Sequence, residues 1–300
     1  MIRRLTFPLA LALLSSCAVF GQLSPAASWA VTSSNAYRVT ANVTYLTANN
    51  YEAKLDVYWR TDSSTPHPTL VNIHGGGWVG GTKESAILTL LPWMEMGWNV
   101  VNVEYRLARV SLAPAAVEDC LCALRWVAAN AKTYGFDTSR IVTTGGSAGG
   151  HLSLTTGMIT EAAGLDRQCP GAPLPKVAAI VNWYGITDVV DLLDGPNRKA
   201  YAVTWLSSMP NREEIARRVS PLSYVTSTLP PILTIHGDAD PTVPYTHALR
   251  LHEALAKAGV SNQLHTVPGG KHGGFTSEQR LKAFEAIRAF LEKHKLPVTP

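Results

Sequence analysis

Short apolar runs recur along the chain and alternate with longer stretches of helical periodicity. The apolar runs are Leu70–Ile73, Val100–Val103, Ile141–Thr144, Val177–Asn182 and Ile232–Ile235. Runs of this kind are typical of strands that are buried on both faces of a parallel sheet. The intervening helical patterns are Pro114–Lys132, Ala148–Thr160, Thr246–Ala258 and Glu278–Lys293. Strands that alternate with helices predict a doubly wound α/β fold.

The N-terminal part of the pattern differs, because apolar and polar residues alternate within Tyr37–Trp59, as in Lys54-Leu55-Asp56-Val57. This alternation predicts strands with one solvated face, so we expect an antiparallel hairpin at the edge of the sheet. The rest of the chain shows no internal repeat, low-complexity tract or linker. We therefore expect residues 22–300 to form one α/β domain.

The first residues resemble an export signal. Met1–Arg4 is basic, and Leu5–Leu14 is an apolar run that is too short to span a bilayer. We expect a signal peptide over residues 1–21 and a periplasmic or extracellular protein. A lipoprotein box is the alternative, because Leu14–Cys17 would then carry a lipid on Cys17 and anchor the protein in an outer membrane. We expect no transmembrane segment in the rest of the chain.

A nucleophile motif follows one of the buried strands. Ile141–Thr144 leads into Gly145-Gly146-Ser147-Ala148-Gly149, and a helical pattern begins at once. A G-x-S-x-G sequence between a strand and a helix indicates a nucleophile elbow, in which a tight turn presents the serine hydroxyl above the sheet. Ser147 is therefore the candidate nucleophile.

A glycine-rich motif follows another buried strand, where Leu70–Ile73 leads into His74-Gly75-Gly76-Gly77. Attack on an ester carbonyl places negative charge on its oxygen, and fixed N–H donors stabilise that charge. The H-G-G-G pattern supplies such donors in lipases and esterases. We expect the amides of Gly75, Gly76 and Ala148 to form the oxyanion hole. A phosphate-binding loop is not indicated, because no G-K-[ST] sequence follows.

Candidates for the general base and its carboxylate partner come later in the chain, in the order Ser, Asp, His that α/β-hydrolases use. His272 lies among glycines in a loop after the predicted strand Gln263–Val267. Asp240 and Asp238 both lie in the loop after Ile232–Ile235. Such a carboxylate would orient the histidine and stabilise its protonated form.

With these motifs, the chain resembles bacterial α/β-hydrolase esterases of the H-G-G-G class, and most closely the group of bifunctional feruloyl and acetyl xylan esterases. The resemblance covers residues 50 to 292. It implies that Asp240 is the catalytic acid, because that residue falls in a pattern like H-G-x-x-D-x-x-V-P, whereas Asp238 becomes a turn residue. Glu104 replaces an aspartate of the family, and Arg106 is interpreted as a structural ion-pair residue.

The resemblance implies a secreted serine carboxylesterase with an α/β-hydrolase fold and no large cap. It would hydrolyse acetyl or feruloyl esters, on plant polysaccharide such as xylan, through an acyl-enzyme on Ser147. Trp78, Trp183 and Tyr184 are candidates for flanking the substrate, with core or rim packing as the alternative. Asp188–Val225, which contains Trp205 and Met209, is the candidate for a partial lid.

Two other classes of function stay open at this stage. The first is amide hydrolysis, because kynurenine formamidases and S9-type peptidases share parts of the motif set. Export speaks against a formamidase of tryptophan catabolism. The second is a non-catalytic carbohydrate-binding relative, although such proteins usually have a damaged triad and this one is complete.

Composition excludes several further classes. The formal net charge is +4, only 16% of the residues are charged, and the basic residues are interspersed with acidic ones, so no nucleic-acid partner is expected. No cofactor or metal is expected either, because the cysteines and histidines lack ligand spacing.

Cys120, Cys122 and Cys169 are interpreted as small buried residues. The alternative is a disulfide from Cys120 or Cys122 to Cys169, and the oligomeric state stays open.

Overall fold

The computed structural model describes residues 23–169, 171 and 173–299. The expected signal peptide over residues 1–21 and the alternative lipid site at Cys17 lie outside the described residues.

The described part of the chain contains one open sheet of eight strands in the order β1-β2-β4-β3-β5-β6-β7-β8. The strands are β1 (Tyr37–Ala48), β2 (Tyr51–Arg60), β3 (His67–Ile73), β4 (Asn99–Val103), β5 (Phe136–Gly146), β6 (Ala179–Trp183), β7 (Ile232–Gly237) and β8 (Asn262–Val267). Strands β1, β2 and β4 pair antiparallel, and the pairings from β4 to β8 are parallel. The predicted edge hairpin and the mostly parallel α/β sheet are therefore confirmed.

Helices cover both faces of this sheet. They are α1 (Pro25–Ala36), α2 (Ile87–Glu95), α3 (Ala115–Ala129), α4 (Ala131–Tyr134), α5 (Ala148–Met158), α6 (Ala200–Leu206), α7 (Arg212–Arg218), α8 (Thr246–Lys257) and α9 (Ser277–Lys293). Helices α2 and α9 share one apolar core with the sheet, and α3, α5 and α8 share the other. Successive strand residues supply opposite cores, as Leu70 and Val71 of β3 do. This double coverage explains why the parallel strands read as continuous apolar runs.

Two features of the chain differ from the sequence interpretation. Helix α1 precedes the hairpin in a stretch without a predicted helix, and none of its residues is buried, so hydrophobic periodicity carried no signal for it. In addition, Cys122 and Cys169 form a disulfide, with their Cα atoms 5.5 Å apart, so the interpretation of both as simple buried residues is wrong. The loop that carries Cys169 folds back against α3, a contact that sequence spacing does not reveal. Cys120 is buried and free, as expected.

Arg106 has the structural role that was expected of it. Its Nη2 lies 2.6 Å from Oδ1 of Asp119 on α3, and both side chains are buried. The Asp119 carboxylate also accepts the backbone N–H of Arg106 at 2.7 Å. A buried charge pair with this many hydrogen bonds fixes the loop after β4 to α3.

Candidate active site

A cavity of about 660 Å³ opens where the carboxyl ends of the central strands meet. The loops after β3, β5, β6, β7 and β8 surround it, together with α2 and α9. This edge of an open α/β sheet is where ligands bind in doubly wound folds. Ser147 and His272 both line the cavity.

Ser147 lies at the sharp turn between β5 and α5, with φ of 60° and ψ of −122°. Few residues other than glycine adopt such a backbone conformation, and strain of this kind concentrates at functional sites. The flanking glycines make the turn possible, because a Cβ on Gly145 or Gly149 would lie 2.4 or 2.1 Å from the carbonyl oxygen of Ile73. The structure thus contains the turn that the G-x-S-x-G motif predicts.

The structure brings Ser147, His272 and Asp240 together, although they are far apart in the chain. The Ser147 Oγ lies 2.8 Å from Nε2 of His272, and Nδ1 of the same ring lies 2.7 Å from Oδ2 of Asp240. Because an ionised carboxylate only accepts hydrogen bonds, Nδ1 carries the ring proton and Nε2 accepts from the serine hydroxyl. This is the arrangement in which a histidine can remove the proton of a serine nucleophile.

The Asp240 side chain is fully buried but has several donors around it. Its Oδ1 accepts the backbone N–H groups of Thr242 and Val243 at 2.7 and 3.0 Å. Nε2 of His236 lies 3.3 Å from Oδ2. Burial raises the pKa of Asp240, but the hydrogen bonds from His236, His272 and Val243 outweigh it and hold the pKa well below its usual range. Asp240 is therefore ionised at neutral pH.

Asp238 in this loop and His236 at the end of β7 have supporting positions. Asp238 is exposed, and its Oδ1 accepts the backbone N–H of Gly269 at 2.7 Å, which ties the β7 loop to the loop of His272. His236 was not singled out from the sequence, because it lies at the end of a buried strand where a histidine usually packs in the core.

The three amides expected to form the oxyanion hole belong to residues around the serine: Ala148 follows it, Gly75 packs against its turn, and Gly76 lines the same cavity. Among the described residues, the backbone N–H groups of Gly75, Gly76 and Ala148 have no acceptor. A Cβ on Gly75 would lie 2.7 Å from the carbonyl oxygen of Gly146, so the two loops approach too closely for any larger residue. Unpaired amide N–H groups at this position can donate hydrogen bonds to the oxyanion of a tetrahedral intermediate.

His74 fixes the orientation of one of these amides. Its Nδ1 lies 2.7 Å from the carbonyl oxygen of Gly75, and its ring stacks on Tyr105 with 4.3 Å between centroids. In a trans peptide the C=O and the following N–H point in opposite directions. Because His74 holds the Gly75 carbonyl, the N–H of Gly76 in the same peptide points away from the His74 ring.

The three aromatic candidates for substrate contact separate into two groups. Trp183 and Tyr184 line the cavity, whereas Trp78 is fully buried and does not. The indole N–H of Trp78 donates to Nδ1 of His151 at 3.2 Å, and its ring stacks on Trp205 with 4.1 Å between centroids. Assigning Trp78 to the substrate pocket is therefore wrong, because its side chain packs in the core against His151 and Trp205.

Other parts of the cavity wall were not predicted. Helix α2 contributes a wall with Leu88, which is 78% exposed, and Trp93, while α9 contributes Arg280 and Phe284. The candidate lid Asp188–Val225 carries α6 and α7 and adds Tyr201 to the wall. An exposed leucine at helical spacing is a weak sign of a pocket, and no other signal in the sequence marks these residues.

Neither a metal site nor a membrane span is found in the part of the chain that the structure describes. No group of three or more His, Cys, Asp or Glu side chains among residues 23–169, 171 and 173–299 is arranged to hold a metal ion. No helix in those ranges is long and apolar enough to cross a membrane.

Known proteins are similar to this chain in both sequence and fold. The BD-FAE family model matches residues 55–255. Esterase LipC of Mycobacterium tuberculosis is 32% identical over 229 residues, which are 73% of this chain and 56% of LipC. Carboxylesterase NlhH of the same species is 31% identical, and the match covers 72% of this chain and 69% of NlhH. The chain thus spans little more than half the length of some relatives.

Solved structures that resemble this chain also include esterases. A truncated carbohydrate esterase from gut microbiota superposes with a TM-score of 0.73 and 26% identity over 87% of this chain and 97% of that one. A propionate-bound thermophilic esterase of Thermogutta terrifontis gives a TM-score of 0.72 and 26% identity over 88% and 97%. The fold is therefore that of the α/β-hydrolase esterases. Within that class, the chain belongs to the BD-FAE family.

Proposed function

We propose that this protein is a carboxylic ester hydrolase that works through a Ser147–His272–Asp240 triad and a covalent acyl-enzyme. The observation that carries the proposal is the continuous chain of hydrogen bonds from Ser147 Oγ through His272 to Asp240 beside three unpaired amides. The esterases among its relatives support the same reaction class.

Acylation follows from these positions. His272 Nε2 takes the Ser147 proton while Oγ bonds to the ester carbonyl carbon, and the backbone N–H groups of Gly75, Gly76 and Ala148 donate hydrogen bonds to the oxyanion. The intermediate then expels the alcohol, whose oxygen receives the proton from His272. Asp240 stabilises the imidazolium in between. In deacylation, His272 takes a proton from water while the water oxygen bonds to the acyl carbon. The bond from that carbon to Ser147 Oγ then breaks, Oγ receives the proton from His272, and the carboxylic acid leaves.

The test is the turnover of 4-nitrophenyl acetate by a Ser147→Ala variant. We expect kcat to fall by at least about 1,000-fold, with a small residual rate from the oxyanion hole. Ser153→Ala is the matched control, since Ser153 lies on the same helix and its Oγ donates to the Gly150 carbonyl at 2.8 Å. Wild-type turnover by Ser147→Ala would remove the serine from the mechanism.

The natural substrate in this proposal is an acetyl or feruloyl ester on plant polysaccharide such as xylan. Three observations support it: the BD-FAE match, the carbohydrate esterase among the structural relatives, and a cavity far larger than an acetyl group that opens to solvent. The aromatic pair Trp183 and Phe284, with 5.6 Å between centroids, offers a surface for a planar acyl group or a sugar. Acetylated xylan, methyl ferulate and N-formylkynurenine should be compared, and preference for the amide would contradict the proposal.

We also propose that the protein is exported, with residues 1–21 as its signal peptide and residues 22–300 as the catalytic domain. The Cys122–Cys169 disulfide supports export, because disulfides persist in oxidising compartments. Intact-mass analysis of the mature protein from a bacterial host tests this. A chain that begins at residue 22 is expected, a lipidated Cys17 would favour the lipoprotein alternative, and an unprocessed cytoplasmic chain would contradict export.

A further inference from the structure

The hydroxyl of Tyr184 has an unusual position, directly beside the proposed nucleophile and base. The residue lines the cavity, and its ring meets the His272 imidazole edge-on with 4.8 Å between centroids. No described residue forms a hydrogen bond with this hydroxyl. By contrast, the hydroxyl of Tyr201 in the same cavity donates to the Thr242 carbonyl, and that of Tyr105 donates to the His74 carbonyl.

Tyr184 is held in this position by a backbone conformation that is unfavourable for a tyrosine. Its φ is 40°, in the left-handed region, which is a rare and strained conformation for a bulky residue. The N–H of Tyr184 donates to the Ile235 carbonyl at 2.8 Å, and the preceding carbonyl of Trp183 accepts the N–H of Ser147 at 2.9 Å. The strained residue is thus tied to the nucleophile turn itself.

The loops of the nucleophile and of the base both leave room for the phenol. A Cβ on Gly146, next to Ser147, would lie 3.0 Å from the Tyr184 hydroxyl oxygen. A Cβ on Gly273, next to His272, would lie 2.7 Å from the same atom. The hydroxyl therefore lies between the two loops whose side chains exchange the proton.

Burial raises the pKa of Tyr184 above its ordinary value of 10.0, with a smaller opposing effect of Arg280. The phenol therefore keeps its proton at neutral pH and is available as a donor. Because His272 must deliver a proton to the departing oxygen, that oxygen comes within reach of His272, against which Tyr184 packs.

We infer that the Tyr184 hydroxyl donates a hydrogen bond to the oxygen of the departing alcohol. This inference rests on the proposed esterase function. As the C–O bond breaks, the electron pair goes to the alcohol oxygen and the proton comes from His272, while Tyr184 keeps its own proton throughout. The contribution of this hydrogen bond to the acylation rate grows with the need of the leaving oxygen for stabilisation. It is therefore largest for alkyl and sugar alcohols and smallest for 4-nitrophenolate, which is a stable anion.

The test compares wild type and Tyr184→Phe on acetates of decreasing leaving-group acidity: 4-nitrophenyl, phenyl and benzyl acetate. The acyl group is the same in all three, so deacylation is identical and kcat/KM reports acylation. We expect Tyr184→Phe to reduce kcat/KM a few-fold for 4-nitrophenyl acetate and roughly 10- to 100-fold for benzyl acetate. The dependence of kcat/KM on leaving-group acidity is then steeper in Tyr184→Phe than in wild type.

Phe275→Leu is the control for a merely structural role, since Phe275 packs edge-on against Tyr184 with 5.7 Å between centroids and has no hydroxyl. It should lower the rate on all three acetates by one common factor. An equal loss on all three in Tyr184→Phe, or no loss, would overturn the inference while leaving the esterase proposal intact. A wild-type protein that hydrolyses none of them would instead contradict the proposed function.

Discussion

Two histidine–carboxylate pairs of this molecule are alike in their contacts, and the difference between them shows what makes one a candidate for catalysis. His272 and Asp240 meet at the cavity with 2.7 Å between Nδ1 and Oδ2. His247, on α8, meets Asp191 with 3.1 Å between Nε2 and Oδ2. Both carboxylates lie within hydrogen-bond distance of one ring nitrogen.

The second ring nitrogen separates the two pairs. Nε2 of His272 accepts the hydroxyl of Ser147 at the cavity wall, whereas Nδ1 of His247 accepts the buried backbone N–H of Thr187 at 3.1 Å. Burial lowers the pKa of His247 from 6.5 to about 4, although Asp191 and Asp188 act in the opposite direction. His247 is thus a neutral structural link. An imidazole–carboxylate pair alone does not indicate catalysis; the group on the free nitrogen does.

The largest expected effect comes from removing the charge of each carboxylate in turn. Asp240→Asn should reduce kcat on 4-nitrophenyl acetate by about 10⁴-fold, because the amide no longer holds the imidazole in the required tautomer. Asp191→Asn should leave kcat within a few-fold of wild type, since its histidine does not reach the cavity. Steady-state kinetics of the two variants measure this, and similar losses in both would erase the distinction.

A smaller effect is expected in the pH dependence of stability. The pKa of His247 is lower in the folded than in the unfolded state, so the unfolded chain binds the extra proton between pH 6.5 and about 4. The free energy of unfolding therefore falls as the pH falls through that window, by up to roughly 1.4 kcal/mol per pH unit for this residue. Urea unfolding of His247→Gln at several pH values should show a shallower fall. His151, whose pKa burial also lowers to about 4, contributes equally to both proteins. Parallel curves would contradict this role.

The smallest effect is expected at Asp238. Its Oδ1 accepts the backbone N–H of Gly269, and an asparagine oxygen can accept the same bond. Asp238→Asn should therefore change kcat/KM and stability by no more than about two- to threefold and 0.5 kcal/mol. A loss of activity as large as that of Asp240→Asn would contradict the assignment of Asp240, and not Asp238, as the carboxylate of the triad.

The strands, Ser147 and His272 could be predicted from the sequence because they depend on local rules. Buried parallel strands have an apolar signature, and the turn at Ser147 needs glycines at fixed positions. The choice of Asp240 over Asp238 was different, because both lie in the same loop and only the family pattern distinguished them.

What the sequence did not reveal depends on contacts between distant segments. Trp78 follows three glycines and reads as a pocket residue, yet it packs on Trp205 in the core. The Cys122–Cys169 bridge requires a loop to fold back on α3, and the exposed helix α1 buries nothing that would produce a periodic pattern. Arg280 and Tyr201 reach the cavity from a helix and an inserted segment whose positions relative to the sheet follow from packing alone.

The central claim is that the Ser147 hydroxyl forms a covalent bond with the substrate's acyl group. Peptide-mapping mass spectrometry after treatment with diethyl 4-nitrophenyl phosphate, which traps activated serines, tests it most directly. The account predicts one diethylphosphoryl group on Ser147 in wild type, formed in step with loss of activity, and far slower labelling in Asp240→Asn. Full inactivation with the label on another residue, and none on Ser147, would contradict it.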